Sequence, residues 1–136
     1  MVPVQVGTHD PDAAARAVID RYFQVWTPTL ILLSPEGGVF HEWSGYLPPS
    51  LYLAQLGIGL GKAAIKRNRF DEATGHFNDV VDRYPTSDAD PEALYWAAVA
   101  RYKGSGKSDD LMTGWQKLRS RFPESVWRIK HIFSEG

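Results

Sequence analysis

The chain has 136 residues, 43% of them hydrophobic and 12% aromatic, which suits one compact domain or two small subdomains and argues against intrinsic disorder. Its net charge of −1 gives no overall field for attracting nucleic acid or an acidic membrane. The absence of cysteine excludes disulfides, thiolate catalysis and thiolate metal sites.

The N-terminal residues alternate between apolar and other types. Val2, Val4 and Val6 alternate with Pro3 and Gln5, which predicts a short strand over Val2–Val6. The stretch HDPDAAARAVIDRYF then predicts a helix with Asp10 as its cap and Pro11 at its first position. Spacing by four residues predicts that the inward stripe of this helix is Ala14, Val18 and Tyr22.

A β-hairpin is predicted next. Thr29–Ser34 is almost entirely apolar and of strand length, which is typical of a strand covered on both faces. PEGG, residues 35–38, predicts a tight turn, and Val39–Trp43 is the returning strand. Pro49 is suited to the start of the following helix. The first fifty or so residues therefore predict the order strand, helix, strand, hairpin, helix.

After Ser50 the apolar pattern is helical and contains an internal repeat. HFNDVVDRYP, residues 76–85, aligns with GWQKLRSRFP, residues 114–123. The repeat predicts two pairs of helices and a final helix near Ser125–Phe133, and it places an aromatic residue and a proline after the second helix of each pair. The four paired helices are Leu51–Lys66, Phe70–Arg83, Pro91–Lys103 and Ser108–Arg121.

The second half resembles tetratricopeptide repeats, including bacterial members of that family. The matching residues are Leu60, Gly61, Ala64, Ala73, Phe77 and Pro85 in the first repeat, and Tyr95, Tyr102, Trp115 and Pro123 in the second. Val99 and Leu111 depart from the family pattern, and the loop KGSGKSDD accounts for the greater repeat length. The resemblance implies a surface that binds a protein or peptide partner.

The first half resembles the C-terminal half of a thioredoxin fold. WTPT before an apolar strand, followed by a hairpin and a helix, matches that family's order, and Pro28 matches its cis-proline position. The family's Cys-x-x-Cys segment is absent, so the resemblance carries over Pro28 as a structural residue only. The predicted fold is α+β, with a partial thioredoxin-like subdomain over residues 1–50 (its closing helix shared to about 67) and tetratricopeptide-like helices over residues 51–136.

Loss of the family's first segment leaves strand edges that need a partner. Direct parallel pairing of Val2–Val6 with Thr29–Ser34 would close the gap. Otherwise the bare edges would recruit another chain, and we expect a homodimer or a larger oligomer.

Two glycine-rich stretches are better explained by packing than by nucleotide binding. GSGKS, residues 104–108, has Arg101 where a phosphate-binding loop needs glycine, so a turn between helices is predicted. In GIGLGKAA, Gly57 and Gly61 share one helix face, which predicts close approach of a neighbouring helix and leaves Lys62 exposed. The histidines are widely separated, and no catalytic residue, metal site or cofactor is predicted.

The predicted function is a non-catalytic interaction or scaffold module. Tyr95 and Arg101 are the candidate partner-binding residues, because groove residues come mostly from the first helix of each repeat. The alternative is a fragment of a thioredoxin-like thiol oxidoreductase or chaperone whose active site lies upstream. A third possibility is a protein that binds an acidic ligand or nucleic acid through its basic C-terminal third, which has eight Lys and Arg against four Asp and Glu from Arg101 onward. We expect a protein partner, no nucleic acid, no membrane and a cytoplasmic location.

Overall fold

The computed structural model describes residues 1–7, 9, 11–22, 28–84 and 88–130. Within them lie six helices and two strands, and the predicted α+β class is confirmed. In chain order these are α1 (Ala13–Tyr22), β1 (Thr29–Leu33), β2 (Val39–Ser44), α2 (Pro49–Lys66), α3 (Phe70–Arg83), α4 (Ala89–Ser105), α5 (Ser108–Arg121) and α6 (Val126–Ile129).

The chain divides into two compact units, of which the smaller comprises Met1–Leu30 and Trp43–Tyr46. Its helix α1 begins at an aspartate: the backbone N–H of Ala15 donates to Asp12 Oδ1 at 2.8 Å. The predicted cap Asp10 lies outside the described residues. Every residue of α1 is exposed or half-buried. Its inward stripe consists of the half-buried Ala15, Ile19 and Tyr22. The prediction of Tyr22 is confirmed, but Ala14 and Val18 are exposed, so their prediction as inward residues is wrong.

The predicted strand over Val2–Val6 is not formed. Residues 1–7 are neither helix nor strand, and Val2 and Val4 are 85% and 81% exposed. The described strands form a sheet of two, β1 with β2. A strand needs a partner for its N–H and C=O groups, and alternating valines cannot supply one. The expected parallel pairing with β1 is therefore wrong.

The predicted hairpin is confirmed, and β1 and β2 pair antiparallel. At its turn the Ser34 N–H donates to the Gly38 carbonyl at 2.7 Å, and the Gly38 N–H donates to Ser34 Oγ at 3.0 Å. At its open end the Gly45 N–H donates to the Pro28 carbonyl at 2.8 Å. β1 has four half-buried residues and an exposed Leu33, so it is not covered on both faces as predicted.

The larger unit, Ile31–Glu42 and Leu47–Gly136, contains both helical pairs. Helices α2 and α3 pack closely because two glycines face α3, as predicted. A Cβ built on Gly57 would lie 2.7 Å from Val80 Cγ2, and one on Gly61 would lie 2.5 Å from Phe77 Cε1 and Cζ. Phe77 is fully buried, so its ring fills the space that the missing side chain of Gly61 leaves.

The turn between α2 and α3 is a Schellman motif. Asn68 has a positive φ of 58°, its N–H donates to the Ile65 carbonyl at 3.0 Å, and the Arg69 N–H donates to the Ala64 carbonyl at 2.9 Å. Asparagine tolerates this left-handed conformation better than most residues. The motif satisfies the last carbonyls of α2 and reverses the chain within three residues.

The second pair repeats this arrangement. A Cβ on Gly114 of α5 would overlap the Cβ of Ala98 of α4, so these helices also meet at a glycine. Gly106 ends α4 in the left-handed region, with a φ of 72° and its N–H donating to the Tyr102 carbonyl at 2.7 Å. Ser105 Oγ donates to Asp110 Oδ2 at 2.5 Å across the turn. GSGKS is thus a turn between helices, as predicted.

Small side chains dominate the buried core of the larger unit, which is why its helices approach closely. Nine of the 15 buried hydrophobic residues in the described part of the chain are alanines, and Phe77, Ile58 and Leu118 are the largest fully buried side chains among them. In α6 it is Trp127 that packs against this core, whereas Val126 is 60% exposed. None of the helices in the described part of the chain is long and apolar enough to cross a membrane.

Candidate functional site

The first helices of the two pairs are joined by an ion pair. Lys62 Nζ of α2 lies 3.1 Å from Glu92 Oε1 of α4, and these side chains are 23% and 12% exposed. Gly57 and Gly61 turn one side of α2 towards α3, and Lys62, the next residue, points to α4 instead. Glu92 lies in the first turn of α4, where the helix dipole also favours a carboxylate. The predicted exposure of Lys62 is therefore wrong.

The hairpin adds an imidazole to this ion pair. His41 Nε2 of β2 lies 2.8 Å from Gln55 Oε1, and Lys62 Nζ lies 3.2 Å from His41 Nδ1. Gly59 makes the approach possible, because a Cβ there would lie 2.9 Å from Leu32 Cδ2 and 3.3 Å from His41 Cβ. We call the surface formed by Gln55, Lys62, Glu92 and Trp96 the first-helix face.

These partners define the protonation state of the imidazole. Gln55 Oε1 is an acceptor, so Nε2 carries the proton, and Nδ1 accepts from the Lys62 ammonium. Burial is the main cause that lowers the pKa of His41 below its ordinary value, and the charge of Lys62 lowers it further. The hydrogen bond to Gln55 and the charges of Glu92 and Glu42 oppose this shift.

An aromatic cluster continues the first-helix face along α4. It consists of Tyr95, Trp96, Trp115 and Trp127. Tyr95 stacks on Trp115 with centroids 5.7 Å apart, and it meets Trp96 edge-on at 5.3 Å. Lys62 Nζ lies 5.3 Å from the centroid of Trp96, within cation–π range. One ammonium therefore connects the hairpin, both first helices and the cluster.

The two predicted partner-binding residues lie on α4 but are not brought together. Tyr95 is half-buried within the aromatic cluster, whereas Arg101 is exposed in the part of α4 where every residue from 101 to its end at 105 is exposed. A helix turns by about 100° per residue, so six residues place them roughly 120° apart. Tyr95 therefore has a packing role in addition to any binding role.

Sequence reasoning did not find His41, Gln55, Lys62 and Glu92 as a group. They come from β2, α2 and α4, and no local spacing relates them. The only available signal was Gly59, a third glycine in α2 that the contact with α3 does not explain. Among the described residues no group of three His, Asp or Glu side chains could hold a metal ion.

A shallow, open pocket of about 510 Å³ lies elsewhere on the larger unit, where the start of α4 meets the connection from α5 to α6. Its lining comprises Asp88, Pro91 and residues 121–127. It includes neither predicted binding residue and none of the first-helix face.

Two consecutive helix pairs, each closed by a tight turn and packed through a glycine, define the segment as a helical repeat. Residues 58–87 and 92–125 match the tetratricopeptide repeat family, so the segment is tetratricopeptide-like. A search of curated proteins and a search of solved structures found no match. The family match begins at residue 58, and the thioredoxin resemblance of the first half remains a prediction.

Proposed function

We propose that this protein is a non-catalytic interaction module that binds a peptide or protein partner along α4 and the first-helix face. The tetratricopeptide match over residues 58–87 and 92–125 carries the proposal, because such repeats generally mediate protein–protein interaction. Stacked repeats form extended binding surfaces from successive units. Here the first helices of the two pairs, α2 and α4, are adjacent, since Lys62 of α2 forms an ion pair with Glu92 of α4.

The chemistry of α4 suits a partner with mixed apolar and acidic character. Tyr95 and Trp96 offer half-buried aromatic surface, and Arg101 offers an exposed guanidinium. Tryptophan, tyrosine and arginine are the residue types that dominate binding energy at protein interfaces. Lys62 is already paired within the molecule, so Arg101 is the better candidate for an acidic group of the partner.

A pull-down with the intact chain tests this proposal. Proteins captured by the wild type are compared with those captured by Arg101→Glu and by Tyr95→Ala, and the affinity of a purified partner is then measured by calorimetry. The matched control is Arg83→Glu, the same charge reversal at an exposed position near the end of α3. We expect Arg101→Glu to lose partners that Arg83→Glu retains.

Tyr95→Ala needs its own control, since it removes a ring from the aromatic cluster. Tyr95→Phe keeps the stacking on Trp115, and circular dichroism reports whether either variant is still folded. If Arg101→Glu and folded Tyr95→Ala both capture the wild-type set of proteins, the assignment of the binding surface is wrong.

A second candidate is a fragment of a thioredoxin-like oxidoreductase or chaperone. The observation in its favour is that β1, β2 and α2 follow Pro28 in the order which that resemblance implies. The in-frame DNA before Met1 separates the two proposals: a coding stretch with Cys-x-x-Cys favours the fragment, and a nearby stop codon favours the interaction module.

We also propose a homo-oligomer in the cytoplasm. The described sheet has two strands, so each strand keeps one edge available for pairing. Light scattering at micromolar concentration tests oligomerisation, and a purely monomeric species would contradict it. Cell fractionation tests the location.

A further inference from the structure

The tip of the hairpin, Ile31–Glu42, contacts α2 through the side chain of His41, and its Phe40 ring lies 5.8 Å from the guanidinium of Arg67 at the end of that helix. His41 bonds to Gln55 and accepts from Lys62, while Leu32 and the Cβ of His41 lie over Gly59. No residue of the tip is fully buried. Because no side chain of the tip is fully buried in a core, the polar contacts of the imidazole contribute much of the attachment of the tip.

Only the neutral imidazole satisfies both polar neighbours. Gln55 Oε1 accepts from Nε2–H, and Lys62 donates to the lone pair of Nδ1, 3.2 Å away. Protonation of Nδ1 would replace that lone pair with an N–H and place two cations in contact. The bond to Lys62 would be lost, and charge repulsion would take its place.

The other charged groups around His41 do not remove this conflict. Glu92 of α4 attracts a charged imidazole, but its Oε1 is already paired with Lys62 at 3.1 Å. Glu42, its neighbour on β2, is exposed, so water screens its charge. From α2, Lys62 is the charged group that faces the ring and Gln55 is neutral.

We propose that His41 is a pH-sensitive latch that holds the hairpin tip over the Gln55–Lys62 part of the first-helix face. With a neutral imidazole the tip stays on α2. With a charged imidazole the tip separates from α2, and Gln55, Gly59 and Lys62 become accessible. The latch requires no partner, so its test is independent of the pull-down.

Hydrogen–deuterium exchange of the intact chain tests the latch. Exchange is measured from pH 7.5 down to pH 5.0, and labelling times are scaled for the intrinsic effect of pH on exchange. We expect peptides covering residues 31–42 to lose protection severalfold as pH falls, while those from α3 and α5 keep theirs. A wild-type tip whose protection is independent of pH would overturn the proposal.

Two histidine substitutions supply the controls. His41→Gln retains a donor for Gln55 but does not titrate, so its tip should have the same protection at both pH values. His76→Gln makes the same change on α3, where the imidazole lies 3.6 Å from Glu72, and it should keep the wild-type response. A response in His41→Gln equal to that of the wild type would refute the latch.

If His41→Gln already lacks hydrogen-exchange protection of the tip at pH 7.5, that variant cannot serve as the control. An NMR titration of the wild type then tests the latch. In the wild type the imidazole of His41 should titrate below its ordinary range, and the amide signals of residues 31–42 should shift with the same midpoint. An ordinary or raised midpoint, or amide signals that do not follow it, would also overturn the proposal.

Discussion

Gly61→Ala is the sharpest test of how the first repeat packs. The new Cβ would lie 2.5 Å from Cε1 and Cζ of Phe77 and 2.9 Å from its Cδ1, whereas ordinary contacts begin near 3.4 Å. Phe77 is fully buried, so its ring cannot move into solvent. Such overpacking costs about 1–3 kcal/mol, and an overlap this deep belongs near the upper end of that range.

Helix propensity acts in the opposite direction, since alanine is favoured over glycine in a helix interior by about 1 kcal/mol. The expected net loss of stability is therefore about 1–2 kcal/mol. Gly75→Ala is the matched control, because a Cβ at Gly75 of α3 would meet nothing within 4 Å. It gains the propensity without the clash and should be more stable than the wild type by about 1 kcal/mol.

Urea unfolding followed by circular dichroism measures both variants. Thermal melts should separate them in the same order, by about 3–5 °C for each kcal/mol in a chain of this size. If Gly61→Ala is as stable as Gly75→Ala, then α2 and α3 are not in close contact at this glycine, and the proposed reason for its presence is wrong.

Four further predictions concern the site and the turns. Lys62→Met should lower the free energy of unfolding in urea by about 1–3 kcal/mol, because the Glu92 carboxylate, which is 12% exposed, would lose its cation. The double variant Lys62→Met/Glu92→Gln should recover part of that loss. If the effects of the two single substitutions simply add in the double variant, Lys62 and Glu92 are not coupled. Because the pKa of His41 is lowered in the folded chain, the unfolded chain binds the proton first as pH falls. The stability that neutral His41 contributes is therefore complete above the ordinary pKa of 6.5 and is lost as pH falls through the folded-state pKa. Thermal melts across this window should show a smaller loss of stability in His41→Gln than in the wild type, and an equal loss would contradict the direction of the pKa shift. Gly106→Ala should cost about 1 kcal/mol, since a φ of 72° strains a residue with a side chain even where space is open; unchanged stability would argue against a left-handed cap. The peptide bond before Pro28 should be cis, which the ¹³C shifts of the proline ring test directly, and a trans pattern would weaken the thioredoxin resemblance.

Helix boundaries were predictable wherever local chemistry determines them. Helices α3 and α5 have the predicted bounds, Phe70–Arg83 and Ser108–Arg121. Each ends just before an aromatic residue and a proline, and proline cannot continue a helix. The packing role of Gly57 and Gly61 was predictable for a similar reason, since their spacing alone places them on one face.

The errors arise where distant parts of the chain decide the outcome. Val2–Val6 has the alternation of a strand, but a strand forms only when a second strand pairs with it, and local pattern carries no information about that. Lys62 looked exposed because its own helix gives it no partner. Glu92 reaches it from α4 and His41 from β2, and only the folded chain shows these distances.

The placement of the tryptophans makes the two repeats distinguishable by spectroscopy. Three of the five tryptophans, Trp96, Trp115 and Trp127, lie in the aromatic cluster beside α4, and the segment from Pro49 to Arg83 contains none. Intrinsic fluorescence therefore reports mainly on the second helical pair, whereas far-UV circular dichroism reports on both pairs. In a stack whose stability is a sum over units and their interfaces, a difference between the two unfolding curves would reveal which repeat opens first without any added label.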